Sequence, residues 1–258
     1  MQVNLHVLNA VFLGLILYRR YPALSALAMA VAVHLKASPV VLVLAFLLEW
    51  NWRWLAWVAL SFLVVGAVPI LTHGFSPYLD FVQNTIGLAS GHALSFRENS
   101  FEGLFMALSA FLDLPPAFVN IGTNIARVLL FVASILVMRR NIQNETFYSG
   151  EGANFYNAIP SLLILMLLAS PIVWVHHGVF VGLSFLLLLK NLNSPSAWTL
   201  FGFAYFFEFL LPTFDFFPWS YGRLVAPLII LWIMWRLPSK TSRLFTKANH
   251  CTENFLLG

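Results

Sequence analysis

Three stretches of polar residues that could bind an anion interrupt an otherwise apolar chain. They read HLKASPV at 34–40, SFRENSFEGLF at 95–105 and SPIVWVHHGVF at 170–180. Lysine, arginine and histidine donate hydrogen bonds to a phosphate, and a carboxylate or imidazole can act as a base. The stretches can form one site only if the helices of the chain bring them to the same place.

Lys36 is the first candidate, because it stands between two apolar segments and just before Pro39. An ammonium at membrane depth either extends to the interface or binds a buried anion such as a phosphate. The proline break leaves backbone N–H groups free at the next helix start, where anions bind favourably. Both interpretations of Lys36 stay open at the level of sequence.

The second stretch ends in adjacent charged and polar residues. Arg97 could bind a phosphate, Glu98 could act as a base or a metal ligand, and Asn99 with Ser100 could cap the following helix. Glu102 stands three residues after Asn99, as in a capping box. A solvated loop with a helix cap is therefore an equal alternative to a binding site.

The third stretch contains the adjacent pair His176 and His177. Sequential residues of a helix point about 100° apart, so this pair does not have the spacing of helical metal ligands. A single histidine can still donate to a phosphate, and Trp174 can stack on a sugar ring. The alternative is an ordinary interfacial belt of aromatic and polar residues.

Arg127 falls inside an apolar segment, which makes it a further candidate. The alternative is a structural ion pair with a neighbouring helix, for which Glu208 is the predicted partner.

The composition indicates an all-α, multi-pass membrane protein. Of 258 residues, 60% are hydrophobic and 9% are charged, and the mean hydropathy is +0.83. An ordinary soluble domain has about 25% charged residues. The single cysteine, Cys251, cannot build a disulfide framework. The net charge of +4 comes from residues at the ends of apolar segments, so nucleic acid is not a predicted partner.

The apolar residues group into segments that predict a bundle of about eight or nine spans within one transmembrane domain, residues 1–237. Residues 238–258 form a predicted cytoplasmic tail. A short apolar piece at 99–112 is predicted to dip into the membrane or lie along its surface. The predicted segments are 3–18, 22–35, 39–49, 54–72, 117–138, 157–170, 172–189, 198–212 and 220–236.

The distribution of basic residues predicts the orientation, since cytoplasmic loops are enriched in lysine and arginine. Lys36, Arg97 and Arg223 fall on the other, outer side, together with a predicted long loop at 73–99. All three polar stretches are therefore predicted to share the outer face. Ten of the 14 basic residues fall on the side assigned to the cytoplasm: Arg19, Arg20, Arg53, Arg139, Arg140, Lys190, Arg236, Lys240, Arg243 and Lys247.

Four pieces in this order resemble glycosyltransferase family 87, a family of membrane glycosyltransferases with the GT-C fold: QVN at 2–4, HLKASPVVLVL at 34–44, ENSFEGLF at 98–105 and SPIVWVHHGVF at 170–180. The resemblance covers most of residues 1–190. It implies transfer of a hexose, such as mannose, from a polyprenyl-phosphate donor to a lipid or glycan acceptor. It further implies a bacterial plasma membrane with the active side outward.

The resemblance also implies roles for matched residues. Gln2 and Asn4 match a pattern at a helix start, and Trp174 is expected to stack on the substrate. No cofactor and no metal is assigned, since the polyprenyl-phosphate sugar is a substrate. The residues predicted to bind the donor phosphate are Lys36, Arg97, Asn99, His176 and His177.

The chain departs from the family pattern in one respect. GT-C enzymes have a presumed catalytic aspartate in the first outer loop, but no acidic residue occurs between Met1 and Arg19. We therefore expect an N-terminally truncated chain, a substitute carboxylate such as Asp80 or Glu98, or an inactive protein. A lipid or sugar transporter of the flippase type and a noncatalytic membrane subunit are the alternatives from other classes.

Overall fold

The computed structural model describes residues 3–90, 99–150, 152–168, 170, 175–212, 214 and 216–238. These residues form helices and short connections, and no β-strand occurs among them. The prediction of an all-α chain is confirmed. The helices of the described residues are α1 Val3–Leu17, α2 Pro22–Leu35, α3 Val43–Leu48, α4 Trp52–His73, α5 Ser76–Ser90, α6 Phe101–Leu112, α7 Pro116–Gln143, α8 Ala153–Leu168, α9 Val179–Leu189, α10 Pro195–Tyr205 and α11 Val225–Arg236.

Four tighter or wider helical turns connect these helices. A 3-10 turn at Ser38–Leu42 precedes α3, and a second one at Trp219–Leu224 precedes α11. We call the 3-10 turn Val175–Gly178 the histidine turn, and the π-helical segment Phe206–Leu210 after α10 the π-turn. Each of them lies near the start or the end of a predicted apolar segment.

Proline marks several helix starts, because its fixed backbone angle suits the first turn and its missing N–H would have no partner there. Pro22, Pro116 and Pro195 begin α2, α7 and α10. Most observed boundaries therefore fall within a few residues of the predicted segments.

Two of these helices are long and apolar enough to cross a membrane. They are α4 with 22 residues and α7 with 28, and 22 residues span about 33 Å against a hydrocarbon core of about 30 Å. Helix α4 buries only Trp54 and Ser61, while Leu63 is 71% exposed and Leu71 is 84% exposed. Such an apolar helix surface is unfavourable in water and suits contact with lipid.

The predicted loop at 73–99 is wrong over most of its length, since residues 76–90 form α5. The Tyr78 hydroxyl donates to the Gly66 carbonyl over 2.7 Å and holds α5 against α4. The sequence reasoning did not predict this helix, because Asp80, Gln83 and Asn84 interrupt its apolar residues. Residues 91–98 lie outside the described part of the chain.

Helix α8 is the centre of the bundle. Every residue from 157 to 168 is buried, and α3, α7, α9 and α11 pack around it. A helix that is apolar on all sides is stable when neighbours surround it. Helices α1, α2 and α4 form a layer to one side of this core.

Arginine and aromatic side chains gather where α1, α7 and α11 end, which we call the basic end of the bundle. The Arg19 guanidinium lies 5.7 Å from the centre of the Tyr148 ring. Arg140 and Arg236 lie 4.7 Å from the rings of Trp235 and Trp232. Such cation–π pairs are typical of a membrane interface, where the ring is in an apolar layer and the cation is hydrated.

Candidate functional site

Lys36 joins three helices at the opposite end of the bundle, which we call the polar end. Its Nζ donates to Oδ1 of Asn4 in α1 over 3.2 Å. The same Nζ lies 5.8 Å from the ring centre of Phe180 in α9. Because Asn4 is only 5% exposed, the ammonium is directed into the protein rather than outward to the interface.

Lys36 lies in the connection between α2 and the next 3-10 turn. Burial lowers the pKa of its ammonium to about 8, so most of the molecules carry the positive charge at pH 7. An ammonium has three N–H donors, and within the described residues Asn4 accepts from one of them. The other two are available to an anion.

The histidine turn lies next to Lys36. His177 is 8% exposed, and Phe180, which contacts Lys36, follows it by three residues. The structure thus brings the first and third polar stretches of the sequence together. Trp174 and the side chain of His176 lie outside the described residues.

Asn99 and Ser100 are buried at the start of α6. Ser100 is the cap of this helix, because its Oγ accepts from the Gly103 N–H over 3.0 Å. The predicted capping box is wrong, since Glu102 then stands only two residues after the cap. Arg97 and Glu98 lie outside the described residues.

Arg127 pairs with Glu102, and the distance from Nη2 to Oε2 is 3.0 Å. The prediction that Glu208 would be its partner is wrong. Helix α6 packs directly on α7, whereas Glu208 follows α10. Arg127 therefore has a structural partner, and it does not contribute a free cation to the polar end.

The C-terminal part of the chain reaches the polar end through two contacts. The Tyr221 hydroxyl donates to the Gly103 carbonyl over 2.8 Å, which joins the 3-10 turn Trp219–Leu224 to α6. Arg223 donates from Nε to the Glu208 carbonyl and from Nη2 to the Leu211 carbonyl, both over 3.1 Å. These bonds hold the π-turn in place.

Glu208 is a buried acid that the sequence reasoning did not select as a site residue. It lies in the π-turn, is 5% exposed, and directs its carboxylate at Gly178 of the histidine turn. The available signal was a single acidic residue in the apolar run FFEFLL. Asp80, by contrast, is exposed on α5, and no ion pair links it to Lys36 in the described part of the chain.

The described residues include no group of three His, Cys, Asp or Glu side chains that could hold a metal ion. An apolar cavity of about 610 Å³ opens between α1, α9 and α10, close to the histidine turn. Its lining residues are Leu8, Asn9, Phe12, Val179, Gly182, Leu183, Phe185, Leu186, Leu189, Phe201, Tyr205 and Phe209.

The comparisons with known proteins give one match. No curated protein and no solved structure matches the chain. The family model of glycosyltransferase family 87 matches residues 1–171 of the 258, a range that includes Asn4, Lys36 and Asn99 and ends before the histidine turn. The match covers more than half of the chain and agrees with the family predicted from the sequence. The chain therefore belongs to glycosyltransferase family 87.

Proposed function

We propose that this glycosyltransferase transfers a hexose, with mannose as the first candidate, from a polyprenyl-phosphate donor to a lipid or glycan acceptor. The observation that carries the proposal is the half-buried ammonium of Lys36, which Asn4 holds beside the histidine turn. A cation in this position suits a lipid-linked phosphate at the membrane boundary.

The proposed reaction breaks the bond between the sugar C1 and the donor phosphate oxygen, and the acceptor oxygen forms the new bond to C1. The electron pair leaves with the polyprenyl phosphate, and Lys36 stabilises this negative charge. His177 can donate a further hydrogen bond to the phosphate, and Asn99, two residues before α6, is a further candidate from the sequence. The acceptor hydroxyl loses its proton to a base, for which Glu98 and Asp80 are the candidates from the sequence.

The apolar cavity between α1, α9 and α10 supports a polyprenyl chain as the lipid part of the donor. Val179 and Phe209 line it close to the histidine turn, and Phe12 and Leu189 line it further toward the basic end. A phosphate at Lys36 and a chain in this cavity would then lie on neighbouring surfaces of α1 and α9.

We further propose that nine segments cross a plasma membrane: α1, α2, the unit from Ser38 to Leu48, α4, α7, α8, α9, α10 with the π-turn, and α11. Helices α5 and α6 then lie at the outer side with Lys36. The separation of a basic end from a polar end supports this orientation. Residues 238–258 then extend into the cytoplasm.

A transporter has less support from this arrangement. Transporters place polar binding groups near the membrane midplane, often at broken helices of inverted repeats. Here the half-buried Lys36 and the buried Asn4 and His177 lie at one end of the bundle.

The test is donor binding by the purified full-length chain in lipid nanodiscs, with a panel of polyprenyl-phosphate hexoses. We expect Lys36→Ala to abolish donor binding, because it removes the ammonium that Asn4 and Phe180 contact beside the histidine turn. Lys190→Ala is the matched control, since Lys190 is exposed after α9 at the other end of that helix. Unchanged donor affinity in Lys36→Ala would remove Lys36 from the site, and wild-type protein that transfers no hexose would contradict the proposed activity.

A further inference from the structure

Glu208 stands in an unusual stretch of backbone. The π-turn Phe206–Leu210 follows α10 directly, and π-helical turns inside helices occur frequently at functional sites. The turn carries Glu208 to the polar end of the bundle, where its side chain is 5% exposed. A carboxylate with so little contact to water is unfavourable unless other groups compensate its charge.

The histidine turn has a shape that admits this carboxylate. A Cβ atom added at Gly178 would overlap Oε1 of Glu208. Gly178 has an ordinary helical backbone conformation, so the glycine is not needed for the backbone angle. A glycine is needed at this position because the Glu208 carboxylate occupies the space that a side chain would fill. The residue directly before Gly178 is the buried His177.

Within the described residues, the carboxylate oxygens of Glu208 have no hydrogen-bond donor and no ion-pair partner. Arg223 interacts with this carboxyl group electrostatically, while its Nε and Nη2 donate to the backbone carbonyls of Glu208 and Leu211. Arg127, the partner predicted for Glu208, is paired with Glu102 instead. Glu208 thus places two acceptor oxygens at a site where the side chain is at least nine-tenths buried.

We propose that Glu208 is a carbohydrate-binding residue, whose carboxylate accepts hydrogen bonds from sugar hydroxyl groups between the histidine turn and the π-turn. The proposal rests on the proposed function, which places the donor phosphate at Lys36. Lys36 contacts Phe180, and Glu208 contacts Gly178, two residues earlier in the same segment. The cation and the carboxylate therefore approach neighbouring parts of one element, as a sugar phosphate requires.

The hydroxyl groups can belong to the transferred sugar of the donor or to the acceptor. Three probes separate these sources: a polyprenyl-phosphate hexose, polyprenyl phosphate without sugar, and an octyl hexoside as a mimic of the acceptor. Their affinities for the full-length chain in nanodiscs are measured for wild type, Glu208→Gln and the control Asp113→Asn. Asp113 is exposed after α6, and asparagine tolerates its left-handed backbone conformation.

We expect Glu208→Gln to weaken the binding of at least one sugar-bearing probe about tenfold or more, because an N–H donor group replaces one of the two acceptor oxygens of the carboxyl group. A loss confined to the polyprenyl-phosphate hexose assigns the transferred sugar, and a loss confined to the octyl hexoside assigns the acceptor. The affinity for sugar-free polyprenyl phosphate should stay unchanged, as should all three affinities of Asp113→Asn.

If Glu208→Gln weakened the binding of all three probes equally, Glu208 would have a structural role and the proposal would be overturned. It is also overturned if neither sugar-bearing probe changes affinity, or if wild type binds neither of them. Failure of wild type to bind sugar-free polyprenyl phosphate would instead contradict the phosphate site at Lys36, while the octyl hexoside still tests Glu208.

Discussion

Lys36 shows at the scale of one residue how position converts a common side chain into a binding group. A lysine beside a membrane helix can extend to water, but Asn4 and Phe180 hold this ammonium within the bundle. Burial lowers the pKa of Lys36 to about 8, close enough to neutral pH for its charge to respond to modest changes.

The lowered pKa predicts that the affinity for a polyprenyl-phosphate hexose falls as pH rises through about 8. Lys36 is protonated below its pKa and neutral above it, while the donor phosphodiester stays negative throughout. Affinity should fall by up to about tenfold per pH unit once the ammonium has lost its proton. The measurement is the dissociation constant between pH 7 and pH 9.5.

Lys36→Arg is the control for this prediction, because a guanidinium stays charged over the whole range. Its donor affinity should vary less with pH than that of wild type. A wild-type affinity that is constant between pH 7 and pH 9.5 would contradict the assignment of Lys36 to the phosphate.

At the scale of elements, the site depends on two short turns that interrupt apolar helices. The histidine turn directly precedes α9, and the π-turn directly follows α10. Their contact through Gly178 and Glu208 ties the third polar stretch to the C-terminal third of the chain. This part of the chain lies beyond the residues that the family model matches.

The contact between the turns predicts different effects for two glycine substitutions. Gly178→Ala should displace the Glu208 carboxylate and weaken binding of sugar-bearing probes, because the new methyl group would overlap Oε1. Gly202→Ala in α10 should leave these affinities unchanged, since Gly202 is exposed, no atom lies within 4 Å of a Cβ at that position, and the residue does not line the apolar cavity. Equal affinities in the two variants would argue against a close contact of Gly178 with Glu208.

At the scale of the whole molecule, the two ends of the bundle differ in chemistry. Arginine–aromatic pairs mark the basic end, and Lys36, Asn4, His177 and Glu208 mark the polar end. Helix α4 presents apolar side chains outward between these ends. The arrangement suits a protein that takes its substrate at one membrane surface.

This orientation can be tested by cysteine labelling of intact cells with a membrane-impermeant thiol reagent. In a Cys251→Ser background, Phe75→Cys should react from outside, because the exposed Phe75 follows α4 at the outer end. Asn193→Cys, in the exposed connection between α9 and α10, should react only after permeabilisation. The reverse pattern would place Lys36 on the cytoplasmic side.

The amino-acid sequence by itself determined the helical class, most helix boundaries and the family. These properties follow from local signals, namely long apolar runs and prolines at helix starts, and from four short pieces that resemble the family pattern in order. The same signals failed at residues 76–90, where polar residues interrupt the apolar run, and within the histidine turn and the π-turn.

Only the tertiary structure decided which surfaces meet. Helices α4 and α8 are both apolar on all sides, yet α4 faces outward while α8 is the buried core. Arg127 forms its ion pair with Glu102 rather than with Glu208, and Glu208 contacts Gly178. Helix packing brings these partners together although they are distant in sequence. Residue type and spacing describe one helix at a time, so they leave these pairings between helices undetermined.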